Sequence, residues 1–421
     1  MKHSFIHVAD VHLDRPLDNL RRRGGDLSAK LHESSRQSFA RTIDLAISRS
    51  VDAFLIAGDL FDGPVRDASA GLWVSSQFKK LLRQNIPVFL IRGNHDAANA
   101  SAHSIQWPEG VTEFATAHPE THLVESANFA IHGQSFGSRT ETNDLASKYP
   151  SPVSGCFNIG LLHTSLSGSA QHDTYAPTSI GTLENAGYDY WGLGHVHIRS
   201  ESSLSSKCFI GYSGNTQGCH IRESGAKGCN LVTVQDNKLT NVEFVATDRF
   251  RWHEIDLDIS QVGELHELED ILHAEGSQLA AIADGRPMGV RVNLVGDSTL
   301  HSELTRPSVR DNLMRLVMEQ LEQQGDFWLE ALKVRSSPAN TRKLENIELP
   351  VQYLTRVTES ARIQPELRSH LREELEELLK KVRHELGQNS MGSDIESEEC
   401  FDRYLRDAEN QLIAGLLGEA S

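Results

Sequence analysis

The sequence predicts an α/β architecture of two packed mixed β-sheets flanked by helices, followed by a small α+β domain and a helical tail. Three observations carry this. Residues 4–91 alternate short apolar runs with longer stretches of helical periodicity. From about residue 120 the pattern changes to short apolar runs separated by Gly, Pro and Ser. After Arg249-Phe250-Arg251-Trp252 the character changes again, and acid-rich helical stretches close the chain.

Taken in order, 4–9, 52–57 and 87–91 read as buried strands, and 28–50 and 67–84 as the helices between them. In the first helix Leu31, Phe39, Ile43, Ala46 and Ile47 fall on one face. Such a β-α-β-α-β run predicts adjacent parallel strands with right-handed crossovers. Runs at 128–133, 157–162, 188–194, 207–212, 228–234 and 241–247 supply a second sheet packed on the first. Gly289-Val290-Arg291-Val292-Asn293-Leu294-Val295 alternates as a strand, and 262–275 and 309–324 are helical. The domains expected are 1–250, 251–345 and 346–421.

Polar motifs stand where the apolar runs stop. Asp10-Val11-His12 follows the first, Gly58-Asp59 the second and Gly93-Asn94-His95-Asp96 the third. His163-Thr164 and Gly194-His195-Val196-His197 end two later runs. Strand ends converge on one edge of a sheet, where α/β folds place their sites. Carboxylates, imidazoles and one amide, with no thiolate, suit Mn²⁺, Fe or Zn²⁺. Asp10, His12, Asp59, Asn94, His163, His195 and His197 are too many ligands for one open catalytic ion, but they suit a pair. Such a pair clamps a phosphoryl oxygen and activates water, so the chemistry expected is hydrolysis of a phosphate ester.

These motifs in this order, with Gly214-Asn215-Thr216-Gln217-Gly218 further on, resemble the calcineurin-type metallophosphoesterases. The finer resemblance is to their SbcD-type DNA-repair exonuclease branch, and within it to the bacterial YhaO group. It is strong over the first 250 or so residues and only architectural after them. It implies a four-layer sandwich, a capping domain that recognises DNA, two Mn²⁺ ions, and a tail that docks on an SMC-like coiled-coil ATPase. It also implies a homodimer paired through helices 28–50 and 67–84. Carried over by position, Asp10, His12, Asp59 and His197 hold one ion. Asp59, Asn94, His163 and His195 hold the other, with Asp59 bridging. The resemblance makes His95 the residue that offsets charge on the scissile phosphate or protonates the leaving oxygen. Asp62 stands where archaeal and eukaryotic relatives often have His, and Cys219 where the YhaO group has Arg.

Beside His95, Asp96 is expected to fix the imidazole's tautomer by hydrogen bonding, the alternative being a turn cap. Arg21-Arg22-Arg23 are candidate phosphate contacts, although a short basic run is usually a solvated face. His172 and Tyr175 are candidate substrate contacts from the loop after His163, or simply the packing of that loop. In the tail, Leu367, Leu371, Leu375, Leu378, Val382 and Leu386 form one apolar stripe, and Phe401, Leu405, Leu412 and Leu416 a second. They form either a hairpin packed on the preceding domain or a docking surface for the ATPase.

Composition narrows the function. With 41 basic and 58 acidic residues the net charge is −17, which argues against a generic nucleic-acid binder but not against a nuclease whose ions supply the positive charge. The 5 cysteines form no C-x-x-C and read as reduced thiols of a cytoplasmic protein. No apolar stretch approaches the ~18 residues of a membrane span. The function expected is a two-metal DNA nuclease processing ends or breaks. The alternatives are a phosphatase or phosphodiesterase for a small nucleotide or phosphoprotein, and a non-catalytic scaffold for the ATPase.

Overall fold

The computed structural model describes residues 1–15, 25–62, 69–99, 105–166, 175–201, 208–339, 353, 355–360, 364–386 and 398–418. The first sheet takes β1 (Lys2–Val8), β2 (Ala53–Ala57), β3 (Val88–Ile91) and β4 (Val111–Glu113) as parallel neighbours. Helices α1 (Gly25–Ser48) and α2 (Ser69–Leu82) make the crossovers between the first three. The second sheet is built from β5 (Glu120–Val124), β6 (Phe129–Gly133), β7 (Phe157–His163), β8 (Tyr190–Gly194), β9 (Ser200–Glu201) and β10 (Phe209–Tyr212). Its order is β5-β6-β7-β8-β10-β9, with β6, β7, β8 and β10 parallel. The chain then returns to the first sheet as the hairpin β11 (Gly228–Gln235) and β12 (Lys238–Ala246), with β11 antiparallel to β1. Asp236 and Asn237 turn that hairpin at φ 52° and 57°, a left-handed pair their short polar side chains tolerate.

Alternation along the strands builds the layers. Ile6, Val8, Phe54 and Ile56 meet Phe39, Ile43, Val74 and Phe78 of the helices. Their neighbours Phe5, Leu55, Phe89 and Ile91 face the second sheet and pack on Phe129, Ile131, Phe157 and Ile159. On the far face of the second sheet Leu162, Trp191 and Leu193 pack on Leu183 of helix Ile180–Asn185. The strands are thus buried on both faces, which explains their nearly continuous apolar runs. Each such buried side chain contributes roughly 1.5–3 kcal/mol. The two mixed sheets and their helices are the sandwich expected, but the runs at 228–234 and 241–247, expected in the second sheet, are β11 and β12 and extend the first, because β11 takes the free edge of β1.

The described chain divides into two compact units, residues 1–253 with 280–290, and residues 254–279 with 291–421. β13 (Arg251–Asp258), β14 (Met288–Val295) and strand Phe327–Val334 form a three-stranded sheet with β14 in the middle. β13 is a strand the sequence reading missed. In the second unit, helix Pro307–Gln324 buries Leu313, Val317 and Leu321 at four-residue spacing. The expected boundary at 346 lies outside the described residues. The tail helices Pro365–Leu386 and Glu398–Gly418 pair through Arg368 and Arg372, which stack on the buried Phe401 and reach Glu398. Leu367, Leu371, Leu375 and Leu405 are half-buried, whereas Leu412 is exposed. The side chains of Leu378, Val382, Leu386 and Leu416 lie outside the described residues.

Candidate metal centre

β1, β2, β3, β7 and β8 all deliver their C-terminal ends to one edge. The turns beyond them are tied to one another. Asp10 N–H donates to the Gly58 carbonyl, His12 N–H to that of Asp59, and Thr164 N–H to that of Gly194, at 3.0, 3.0 and 3.1 Å. The backbone is left-handed at Asp10, His12, Asp59 and His195, with φ of 50°, 46°, 52° and 102°. Such conformations cost of order 1–3 kcal/mol each and persist where the surroundings over-determine them. A Cβ on Gly93 would collide with the Asp59 carboxylate, and one on Gly194 with the Ala57 carbonyl. These glycines let the turns close.

The side chains converge in two groups. In the first, Nε2 of His12 lies 3.0 Å from Nε2 of His197, with Asp10 alongside. Burial, assisted by the His197 charge, pushes the His12 imidazole down to about 3, so it is neutral, as a metal ligand must be. In the second, Nδ1 of His163 faces the Ala57 carbonyl at 3.0 Å and acts as the donor. Its Nε2 then points at Asn94 Oδ1 at 3.0 Å and Asp59 Oδ2 at 3.5 Å. Asp59 Oδ2 is also 3.8 Å from Nε2 of His12, which places this carboxylate between the groups. Without metal a proton closes these contacts, and against the effect of burial the Asp59 charge pushes the His163 imidazole up to about 9; a divalent ion can take the place of such protons between the same buried nitrogens and oxygens. The donor set therefore fits two divalent ions.

The structure brings together Asp10, His12, Asp59, Asn94, His163 and His197. The His195 ring lies edge-on to those of His163 and Tyr175, both at 5.3 Å. The backbone N–H of His195 donates to both oxygens of Asp10 at 3.0 Å. Tyr175 thus borders the site through His195. Arg21, Arg22, Arg23 and His172 lie outside the described residues.

Asp96 does not do what its position suggested. It is the third residue of helix α3 (Asn94–Ala98), and its carboxylate turns back to accept from the N–H groups of Gly93, Leu60 and Phe61 at 3.2, 3.1 and 2.9 Å. That is the cap of the helix, stapling two ligand turns. Burial and the Asp59 charge push it up to about 7. The residue that orients His95 is Asp62, whose Oδ1 is 2.8 Å from Nδ1 of His95. This hydrogen bond raises the His95 imidazole above its ordinary value. Asp62 is in turn met by Arg15 Nε at 3.1 Å.

Glu223 was also missed. Only 4% exposed, it places Oε1 2.6 Å from Nδ1 of His197. Burial alone would raise it, but His197, His220 and the Cys219 N–H hold it well below the usual carboxylate range. The one sequence signal was its place in the loop that begins with Gly214-Asn215.

The donor set suits a metal-dependent hydrolase, and the family comparison agrees. The calcineurin-like phosphoesterase family matches residues 3–199, and the middle domain of metallophosphoesterase YhaO matches residues 252–337. The chain is 33% identical over 348 residues to the metallophosphoesterase YhaO of Bacillus subtilis, itself uncharacterised, covering 82% of this chain and 84% of that one. It is 25% identical over 272 residues to the DNA double-strand break repair protein Mre11 of Methanopyrus kandleri, covering 58% of this chain and 57% of that one. A solved dimetal phosphatase from Danio rerio aligns with 58% of this chain and 97% of its own at 12% identity and a TM-score of 0.38. The chain belongs to the calcineurin-like metallophosphoesterases, in their YhaO group. Among the described residues no helix is long and apolar enough to cross a membrane.

Proposed function

We propose that this metallophosphoesterase is a Mn²⁺-dependent DNA nuclease that processes ends or breaks together with an SMC-like coiled-coil ATPase. The observation that carries the reading is the double convergence of ligands on Asp59, beside an imidazole whose Nδ1 is held by Asp62. Bound there, two divalent cations supply Lewis-acid polarisation of a phosphoryl group and a nucleophile from water. The chain's own residues do the rest. Asp62 takes Nδ1 of His95, so Nε2 is the nitrogen available to substrate. The raised imidazole retains a proton to offer to the leaving oxygen. DNA as substrate is supported by the similarity to a DNA double-strand break repair protein.

Linear duplex DNA incubated with Mn²⁺, beside a small phosphodiester such as bis-p-nitrophenyl phosphate, tests this. Cleavage of the duplex is expected, enhanced by the ATPase. Turnover of the small ester alone would move the assignment to a small-molecule phosphodiesterase.

The partner reading has its own test. Leu412 is 54% exposed on the last helix, so Leu412→Lys should leave the fold intact. Placed in an apolar groove, the same charge is unpaired and costly. Co-purification with the ATPase is expected to fail for the variant. Undiminished binding would remove this helix from the docking surface.

A further inference from the structure

We propose that Glu223 is a positioning residue of the metal centre, fixing the tautomer and direction of His197, and that Arg15 joins it to Asp62, which does the same for His95. The inference rests on the two-metal reading above.

Glu223 is held from several sides. Its Oε2 accepts from the Cys219 N–H at 2.7 Å and from Asn215 Nδ2 at 2.9 Å. Its Oε1 is 2.6 Å from His197 Nδ1 and 3.4 Å from His220 Nε2. Arg15 lies 4.0 Å from Oε1 and 3.1 Å from Asp62. The main chain of His197 is fixed as well, because its carbonyl accepts from Lys227 Nζ at 3.1 Å and from the Asn215 N–H at 3.3 Å.

A carboxylate can only accept, so it keeps the proton of a neutral His197 on Nδ1. Nε2 then carries the lone pair, at the position 3.0 Å from His12 Nε2 where the first ion would be held. Carboxylate partners of this kind orient metal-binding imidazoles and raise their basicity. Arg15 adds a link between the two oriented histidines. It stands between the two carboxylates, 3.1 Å from Asp62 and 4.0 Å from Glu223, and so spans from the turn after β1 to the loops that carry them.

Glu223→Gln separates this role from mere stapling of the loop. A glutamine has one acceptor oxygen where the glutamate has two. If that oxygen serves Cys219 and Asn215, the amide N–H₂ faces His197 Nδ1. The imidazole must then accept there and carry its proton on Nε2. The fold keeps its staple, and the ligand atom is blocked.

Calorimetric titration with Mn²⁺ is the measurement, alongside thermal melting and ¹⁵N imidazole shifts of the metal-free proteins. The parent should bind two Mn²⁺; fewer would strike at the two-metal reading itself. Glu223→Gln should melt with the parent, keep one site unchanged, and bind the other about 10–100-fold more weakly. Recorded at a pH high enough to leave the ring neutral, its His197 should show the Nε2–H tautomer where the parent shows Nδ1–H. A folded Glu223→Gln protein with both affinities intact, or with the parent's tautomer, would overturn the proposal and leave Glu223 a loop staple.

Discussion

Asp59→Asn should bind neither of two Mn²⁺ ions at parental affinity and should lose about a thousandfold or more of the proposed phosphodiesterase activity. The reasoning starts from one oxygen. Asp59 Oδ2 lies 3.8 Å from His12 and 3.5 Å from His163, so a single carboxylate serves both ligand groups. It also carries the negative charge that lets two dications sit side by side. An amide keeps the shape and an acceptor for the His95 N–H, which now reaches Asp59 Oδ1 at 2.9 Å. It loses the charge. Metal catalysis of this kind supplies several kcal/mol of transition-state stabilisation, and each 1.36 kcal/mol is about tenfold in rate. Asn is preferable to Ala because Asp59 and His163 are buried together, and removing one member of a buried pair can cost about 3–5 kcal/mol of stability. Calorimetry should find two sites in the parent and none comparable in the variant. One tight site surviving would mean that Asp59 serves one ion only.

The sequence made the ligands legible for a structural reason. In a sheet buried on both faces, an imidazole or carboxylate inside an apolar run needs a hydrogen-bond partner of its own, as His7 has in Tyr190 and His132 in Thr121 and Asn158, so most such residues stand where the runs end. Asp10, Asp59, Asn94 and His163 therefore stand out against Val8, Ala57, Ile91 and Leu162. The orienting residues were less visible. Asp62 and Glu223 lie in turns, and nothing periodic marks which turn residue reaches which imidazole. His95 and Asp96 show how adjacency misleads. Successive residues of a helix point about 100° apart. At the start of α3 that sends Asp96 back into its own N–H groups while His95 faces the cleft. The strand β13 was hidden differently, since Arg251-Trp252-His253-Glu254 begins where the apolar run is already broken by charge.

His95→Ala should keep both Mn²⁺ ions and lose about 10²–10⁴-fold in turnover, the range a positioned general acid contributes. Its side chain is 34% exposed at the mouth of the site, and its Nδ1 is committed to Asp62 rather than to a ligand group. Loss of metal together with activity would make it a ligand instead. The pH profile carries the finer test. The Asp62 hydrogen bond raises the His95 imidazole, so the proton is present below that raised value and is lost as pH climbs through it. Asp62→Asn removes the charge that holds the proton, so the imidazole's value falls and the alkaline limb of activity should move to lower pH. The acid limb, set by groups that must be deprotonated, should stay where it is. An alkaline limb that does not move in Asp62→Asn would mean that His95 does not titrate in the rate-limiting step. Its loss in His95→Ala would then report charge stabilisation on the phosphate rather than proton donation to the leaving oxygen.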